Sequence, residues 1–158
     1  MEYNIRPALP KDEESIAALL PSLAGFKVPD NRNPDDLWQG DAKLLAQALA
    51  GTVVNSHVIV AEDPSGHAVG VSLYSIKPEL LSGASSVHLE ALAVHHAHMR
   101  QGLGKKLIEA TQKAALSKGA NCMSLHVFSN NTRARALYQQ CGFDEELIRC
   151  YMPLTLQS

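Results

Sequence analysis

Hydrophobic and polar positions change period along the chain, and each change marks an element. "YNIRPA" alternates and predicts a short strand. "PKDEESIAALLPSL" places Ile16, Leu19, Leu20 and Leu23 at helical spacing, behind a proline and acids suited to a first turn. Residues 25–40, "GFKVPDNRNPDDLWQG", hold no period. They predict a loop with one short helix, of a composition that suits a binding loop. "DAKLLAQALA" returns to helical spacing and Gly51 stops it. "SHVIVAED" and "AVGVSLYSIK", joined by "PSGH", predict a hairpin.

"SVHLEALAV" predicts a fourth strand, with Val87, Leu89, Ala91 and Ala93 on one face and His88, Glu90, Leu92 and Val94 on the other. "GLGKKLIEATQKAALSKG" is a helix with Leu103, Leu107, Ala110 and Ala114 on one side and Gly119 at its end. "NCMSLHVF" is a fifth strand, "NNTRARALYQQCG" a helix from an Asn cap to a Gly stop, and "FDEELIRCYMPL" a final strand pair. With no repeat or linker, residues 1–158 read as a single mixed α/β domain.

Composition narrows the classes. At 17.1 kDa the chain buries a core without metals or disulfides, and 46% hydrophobic with 19% charged residues is ordinary for a soluble protein. A net charge of −2 removes nucleic acid as the default partner. Three cysteines, Cys122, Cys141 and Cys150, have no paired spacing and point to a reducing compartment. The first residues lack a signal-peptide pattern, and no apolar run reaches membrane length. These features predict a cytoplasmic protein with no membrane partner.

The chemistry starts at "HMRQGLGKKL". A strand running into Gly102-Leu103-Gly104 and then a helix leaves backbone N–H groups converging on one spot, which suits phosphate. The glycines admit phosphate oxygens where a Cβ would stand, and Arg100, Lys105 and Lys106 add positive charge. The competing reading is a tight turn whose glycines serve only its geometry. Lys106 and Met99 exclude a Walker loop, and Leu107 excludes a Rossmann fingerprint.

The surrounding sequence resembles the GNAT family of N-acetyltransferases. "LAVHHAHMRQGLGKKLIEA" is similar to its strand–loop–helix motif, and "NNTRARALYQQCGF" is similar to its second signature, carried by Asn131, Ala134, Tyr138, Gly142 and Phe143. "IRPALPKDEESI" and "VIVAEDPSGHAVGVSLY" match its opening strand–helix and its hairpin. The resemblance implies a single-domain fold with a mixed central sheet of about seven strands and helices on both faces. It also implies acetyl-CoA as co-substrate. The pyrophosphate would lie on Met99, Arg100, Gln101, Gly102, Leu103, Gly104 and Lys105, and the pantetheine arm along Asn131, Ala134 and Tyr138. The chain departs from the motif at Met99, where the family has Arg or Gln, and at His96, where it commonly has proline. Arg100 and Lys105 are the candidate substitutes for the motif's charge.

Acetyl transfer to an amine needs the reactants held together, a proton removed from the ammonium, a donor for the oxyanion and an acid for the leaving thiolate. Tyr138 is the candidate acid; the alternative is a core stripe of Ala134, Leu137, Tyr138 and Cys141. Glu90 is the candidate base, a carboxylate out of place in an apolar strand. A structural Glu is its alternative, and His88 and His126 are reserve bases. The family places its acetyl-carbonyl and pantetheine contacts at a bulge in the fourth strand, here Leu92, Ala93 and Val94. His95, His96 and His98 lack metal-ligand spacing, so no metal is expected. Trp38 amid Asp35, Asp36 and Asp41 offers an aromatic face and carboxylates to an amine, with a helix-packing tryptophan as the other reading. The expected activity is N-acetylation of an amine on a small molecule, peptide or protein. A non-catalytic acyl-CoA-binding sensor or scaffold of the same fold is the rival, and a homodimer is the commoner arrangement in the family.

Overall fold

The computed structural model describes residues 2–155. Five strands, β1 (Asn4–Pro7), β2 (Ser56–Glu62), β3 (Ala68–Pro78), β4 (Ser85–Val94) and β5 (Cys122–Leu125), form one sheet in the order β1-β2-β3-β4-β5. The first four pair antiparallel, β2-β3-β4 through short connections and β1-β2 across residues 8–55, and β5 lies parallel to β4 after a helical crossover. The helices are α1 (Glu13–Ala17), α2 (Gln39–Ala50), α3 (Leu103–Ser117) and α4 (Thr132–Gln140).

Both faces of the sheet are covered. On one, Ile16, Leu20 and Leu45 from the first helices pack on Val60, Val71, Leu73, Ala91 and Ala93. On the other, Leu103, Leu107 and Ile108 of α3 pack on Ile59, Val69, Val87 and Leu89. Because β3 and β4 are buried on both sides, they read as apolar runs. No helix among the described residues is long and apolar enough to cross a membrane.

Three expectations need correction. The sheet has five strands among the described residues, and about seven were expected. The predicted pair in "FDEELIRCYMPL" forms no strand, and Leu147, Ile148, Met152 and Leu154 stand 64–93% exposed. Alternation there implies a covered face, but none of the described residues covers it. Side chains anchor the segment instead: Arg135 grips Glu145 at 2.7 and 2.8 Å, and the Arg32 guanidinium lies 3.3 Å from the Tyr151 ring centroid. The third correction is the first helix, which is split. Short 3₁₀ turns at Pro10–Asp12 and Leu20–Ala24 flank α1, because Pro21 cannot donate within a continuous helix.

Candidate active site

The site arises where β4 and β5 part. Their parallel pairing runs from Ser86 opposite Cys122 to Leu89 opposite Leu125 and stops, leaving the outer edge of β4 open over residues 90–94. On the inner side, Leu73 faces Ala91 and Tyr74 faces Leu89, so Glu90 has no partner and forms a bulge. The expected bulge at Leu92, Ala93 and Val94 therefore lies earlier. Those three residues pair with Ser72, Val71 and Gly70 on the β3 side. The bulge also rotates the strand. Val87 and Leu89 pack on the α3 side with Leu92 and Val94, while Ala91 and Ala93 join the opposite cluster. Strict alternation would have put Val87, Leu89, Ala91 and Ala93 on one face.

In the gap lies a cavity of about 120 Å³ that links the two faces of the sheet. Glu90, Ala91 and Leu92 line it from β4, His126 and Phe128 from the segment after β5, and Asn131, Ala134 and Tyr138 from α4. Helix α4 starts here because the Asn131 side chain accepts the Ala134 N–H at 3.4 Å. Leu23, Phe26, Leu37 and Asp41 close the cavity from the other face. The aperiodic loop docks against it: the Phe26 and Phe128 rings lie 5.5 Å apart, and Asn130 Nδ2 donates to the Lys27 carbonyl at 2.6 Å.

Electrostatics divide the lining. Burial, aided by Cys141, pushes the Tyr138 phenol up to about 12, so at neutral pH it is a proton donor. Glu90, 19% exposed, receives the Lys77 ammonium at 2.9 Å, a countercharge supplied by β3. Burial and the charge of Glu90 push Asp41 up to about 6. Burial lowers His88, whose Nδ1 lies 2.8 Å from Ser124 Oγ and whose ring is 4.8 Å from that of His126. Trp38 packs against the core cluster under α1 and α2 and does not line the cavity, while Asp35 and Asp36 are exposed. Of that acidic group only Asp41 reaches the cavity, a placement that nothing in its local sequence marks. Lys77 and Phe128 were missed for the same reason.

The double-glycine loop precedes α3. Arg100 takes φ 63° and Gly102 φ 75°, and the first α3 bond runs from the Lys106 N–H to the Gly102 carbonyl at 3.1 Å. Among the described residues no backbone acceptor engages the N–H groups of residues 101–105. A Cβ on Gly102 would meet nothing within 4 Å, leaving open space before these donors. Gly104 differs: its Cβ would meet Leu137 Cδ2 at 3.0 Å, so this glycine lets α3 approach α4. Tyr3 Oη donates to Gln101 Oε1 at 2.7 Å and lies 2.9 Å from His98 Nδ1, tying β1 to the loop. His95 and His96 stack at 4.4 Å, and His95 Nδ1 accepts the Ala97 N–H. Among the described residues no three His, Cys, Asp or Glu side chains converge as metal ligands.

Comparison with known proteins places this geometry. The sequence model of the Acetyltransferase (GNAT) family matches residues 22–143. The chain is 33% identical over 145 residues to the thialysine N-epsilon-acetyltransferase of Bos taurus, covering 87% of this chain and 82% of that one. It is 29% identical over 146 residues to the uncharacterized N-acetyltransferase YhfO of Bacillus subtilis, covering 90% and 91%. Among solved structures, AAC(6')-Iy in complex with the bisubstrate analog CoA-S-monomethyl-acetylneamine has the same fold, with a TM-score of 0.73 at 24% identity over 98% of this chain and 100% of that one.

Proposed function

Since the chain belongs to the GNAT acetyltransferase family, we propose that it moves the acetyl group of acetyl-CoA directly onto an amine, with Glu90 as base and Tyr138 as acid. The observation that carries this reading is the parting of β4 and β5, which brings Glu90 and Tyr138 to one cavity at the open edge of β4. The residues fit the co-substrate: unpaired N–H donors of residues 101–105, with Arg100 and Lys105 beside them, suit a pyrophosphate. Asn131, Ala134 and the open edge at Leu92, Ala93 and Val94 suit an amide-bearing arm. Bound acetyl-CoA supplies an activated thioester with a good leaving group. Glu90 takes the ammonium proton, directly or through one water, and the amine nitrogen bonds to the acetyl carbon. The carbon–sulfur bond breaks as the Tyr138 phenol protonates the departing sulfur, and the second nitrogen proton returns to the phenolate through solvent. Both catalytic groups are protein side chains.

Relatives named for thialysine and aminoglycoside acetylation support a small amine as acceptor, and one named as an N-terminal acetyltransferase catalytic subunit supports a polypeptide. The test is thioester consumption with acetyl-CoA across diamines, thialysine, aminoglycosides and N-terminal peptides, alongside calorimetric binding of acetyl-CoA. Turnover on at least one amine is expected; binding without turnover on any would favour a non-catalytic acyl-CoA module.

Two further predictions attach to this reading. Gly102→Val is expected to weaken acetyl-CoA binding by imposing a branched side chain on a left-handed residue and filling the space before the N–H donors. Arg100→Ala should cost less and vary with salt, because it removes only an exposed charge. Calorimetry at two salt concentrations checks both, and a larger loss in Arg100→Ala would refute the backbone cradle. The chain also reads as one cytoplasmic domain that dimerises. Its cysteines are free, β5 is an edge strand, and a separate exposed segment carries Ile148, Met152 and Leu154 on one parity. Light scattering should give about twice the monomer mass at micromolar concentration, and Ile148→Lys should shift it to monomer.

A further inference from the structure

We propose that Asp41 selects the acceptor: its carboxylate seats the ammonium of a primary amine carried on an apolar body, and it disfavours amines that bear an acid beside them. The inference rests on the acetyl-transfer reading above. Asp41 stands in the first turn of α2 and lines the cavity that Glu90 and Tyr138 share. The neighbouring walls are Leu23, Phe26, Leu37 and Phe128, which offer a carboxylate no hydrogen bond. Among the described residues no ion pair or side-chain hydrogen bond engages Asp41, whereas Glu90 has Lys77 at 2.9 Å.

Of the charged groups, Glu90 of β4 acts on Asp41 and itself holds Lys77 of β3; His126 lines the same cavity, and the His88 ring lies 4.8 Å from that of His126. Lys77 pairs with Glu90, whereas among the described residues no cationic side chain pairs with Asp41. One ligand ammonium beside Asp41 would supply the missing countercharge. A carboxylate on the acceptor next to its amine would meet Asp41 as a like charge.

Burial and Glu90 already push Asp41 up to about 6, which gives a readout independent of catalysis. A carboxyl whose folded value lies above its ordinary one costs stability when ionised. That cost is absent below about pH 4, grows as pH rises through about 6, and is complete above. Asp41→Asn should therefore melt higher than wild type at pH 7.5, with the gain gone at pH 4. A carboxylate kept for structure would give a lower melting point.

The kinetic arm uses the best acceptor from the amine panel, with lysine and its decarboxylated analogue cadaverine as an additional pair. Asp41→Asn should raise KM for the amine about 10–100-fold, lower kcat far less, and leave acetyl-CoA affinity unchanged. Wild type should favour cadaverine over the α-amine of lysine, and the variant should narrow that preference. An unchanged KM in an active variant, or a lower melting point at pH 7.5, overturns the role of Asp41 alone. A wild-type enzyme inactive on every amine overturns the acetyl-transfer reading and this inference with it.

Discussion

Tyr138→Phe should lower turnover by about 10²–10⁴-fold, the range a positioned general acid contributes, while acetyl-CoA affinity and melting temperature barely move. The Tyr138 phenol lines the cavity and, pushed up to about 12 by burial, holds its proton at any working pH. Among the described residues no protein group bonds its hydroxyl, so deleting the oxygen strands no partner. The ring itself packs against α3 and meets Phe143 edge-on at 5.9 Å, contacts that phenylalanine keeps. Steady-state rates, calorimetry and thermal melts on both proteins give the answer. An acceptor that attacks slowly would show a smaller loss, because departure of sulfur would no longer limit the rate. Equal turnover with a lower melting point would make Tyr138 a core residue and leave the acid to water.

The sequence made some of this site readable for local reasons. Asn131, Ala134 and Tyr138 share a helix face, and the helical period carries them to the same cavity. The start of α3 is marked by Gly102 and the end of α2 by Gly51, since both take positive φ. What failed depended on distant partners. A bulge leaves no mark in an apolar strand, so "SVHLEALAV" alternates smoothly although the strand rotates at Glu90. Gly104 looks like a phosphate glycine because it follows Gly102, but the neighbour that demands it is Leu137, over thirty positions along the chain. The parity of Ile148, Cys150, Met152 and Leu154 predicts a strand with one covered face, and among the described residues nothing covers it. Asp41 and Asp35 are alike in sequence; only the placement of Asp41, in the first turn of α2, at the cavity separates them.

Glu90→Gln should reduce turnover most strongly near neutral pH, where the acceptor is mostly ammonium and a base is needed, by up to about 10²–10⁴-fold. Higher pH should restore part of the loss by supplying free amine. The substitution is conservative toward the fold: glutamine keeps the bulge and offers Lys77 an amide oxygen in place of the carboxylate at 2.9 Å. Lys77→Met is the control. It removes the countercharge but leaves the carboxylate, and because Lys77 is 48% exposed its loss should cost little stability. The comparison separates two roles for Glu90. If the carboxylate takes the proton, only Glu90→Gln changes the shape of the pH–rate profile. If Glu90 serves mainly to hold Lys77, the two variants fall alike and neither recovers at high pH. A Glu90→Gln profile parallel to wild type would move the base to His88, His126 or solvent, with His126 first because it lines the same cavity.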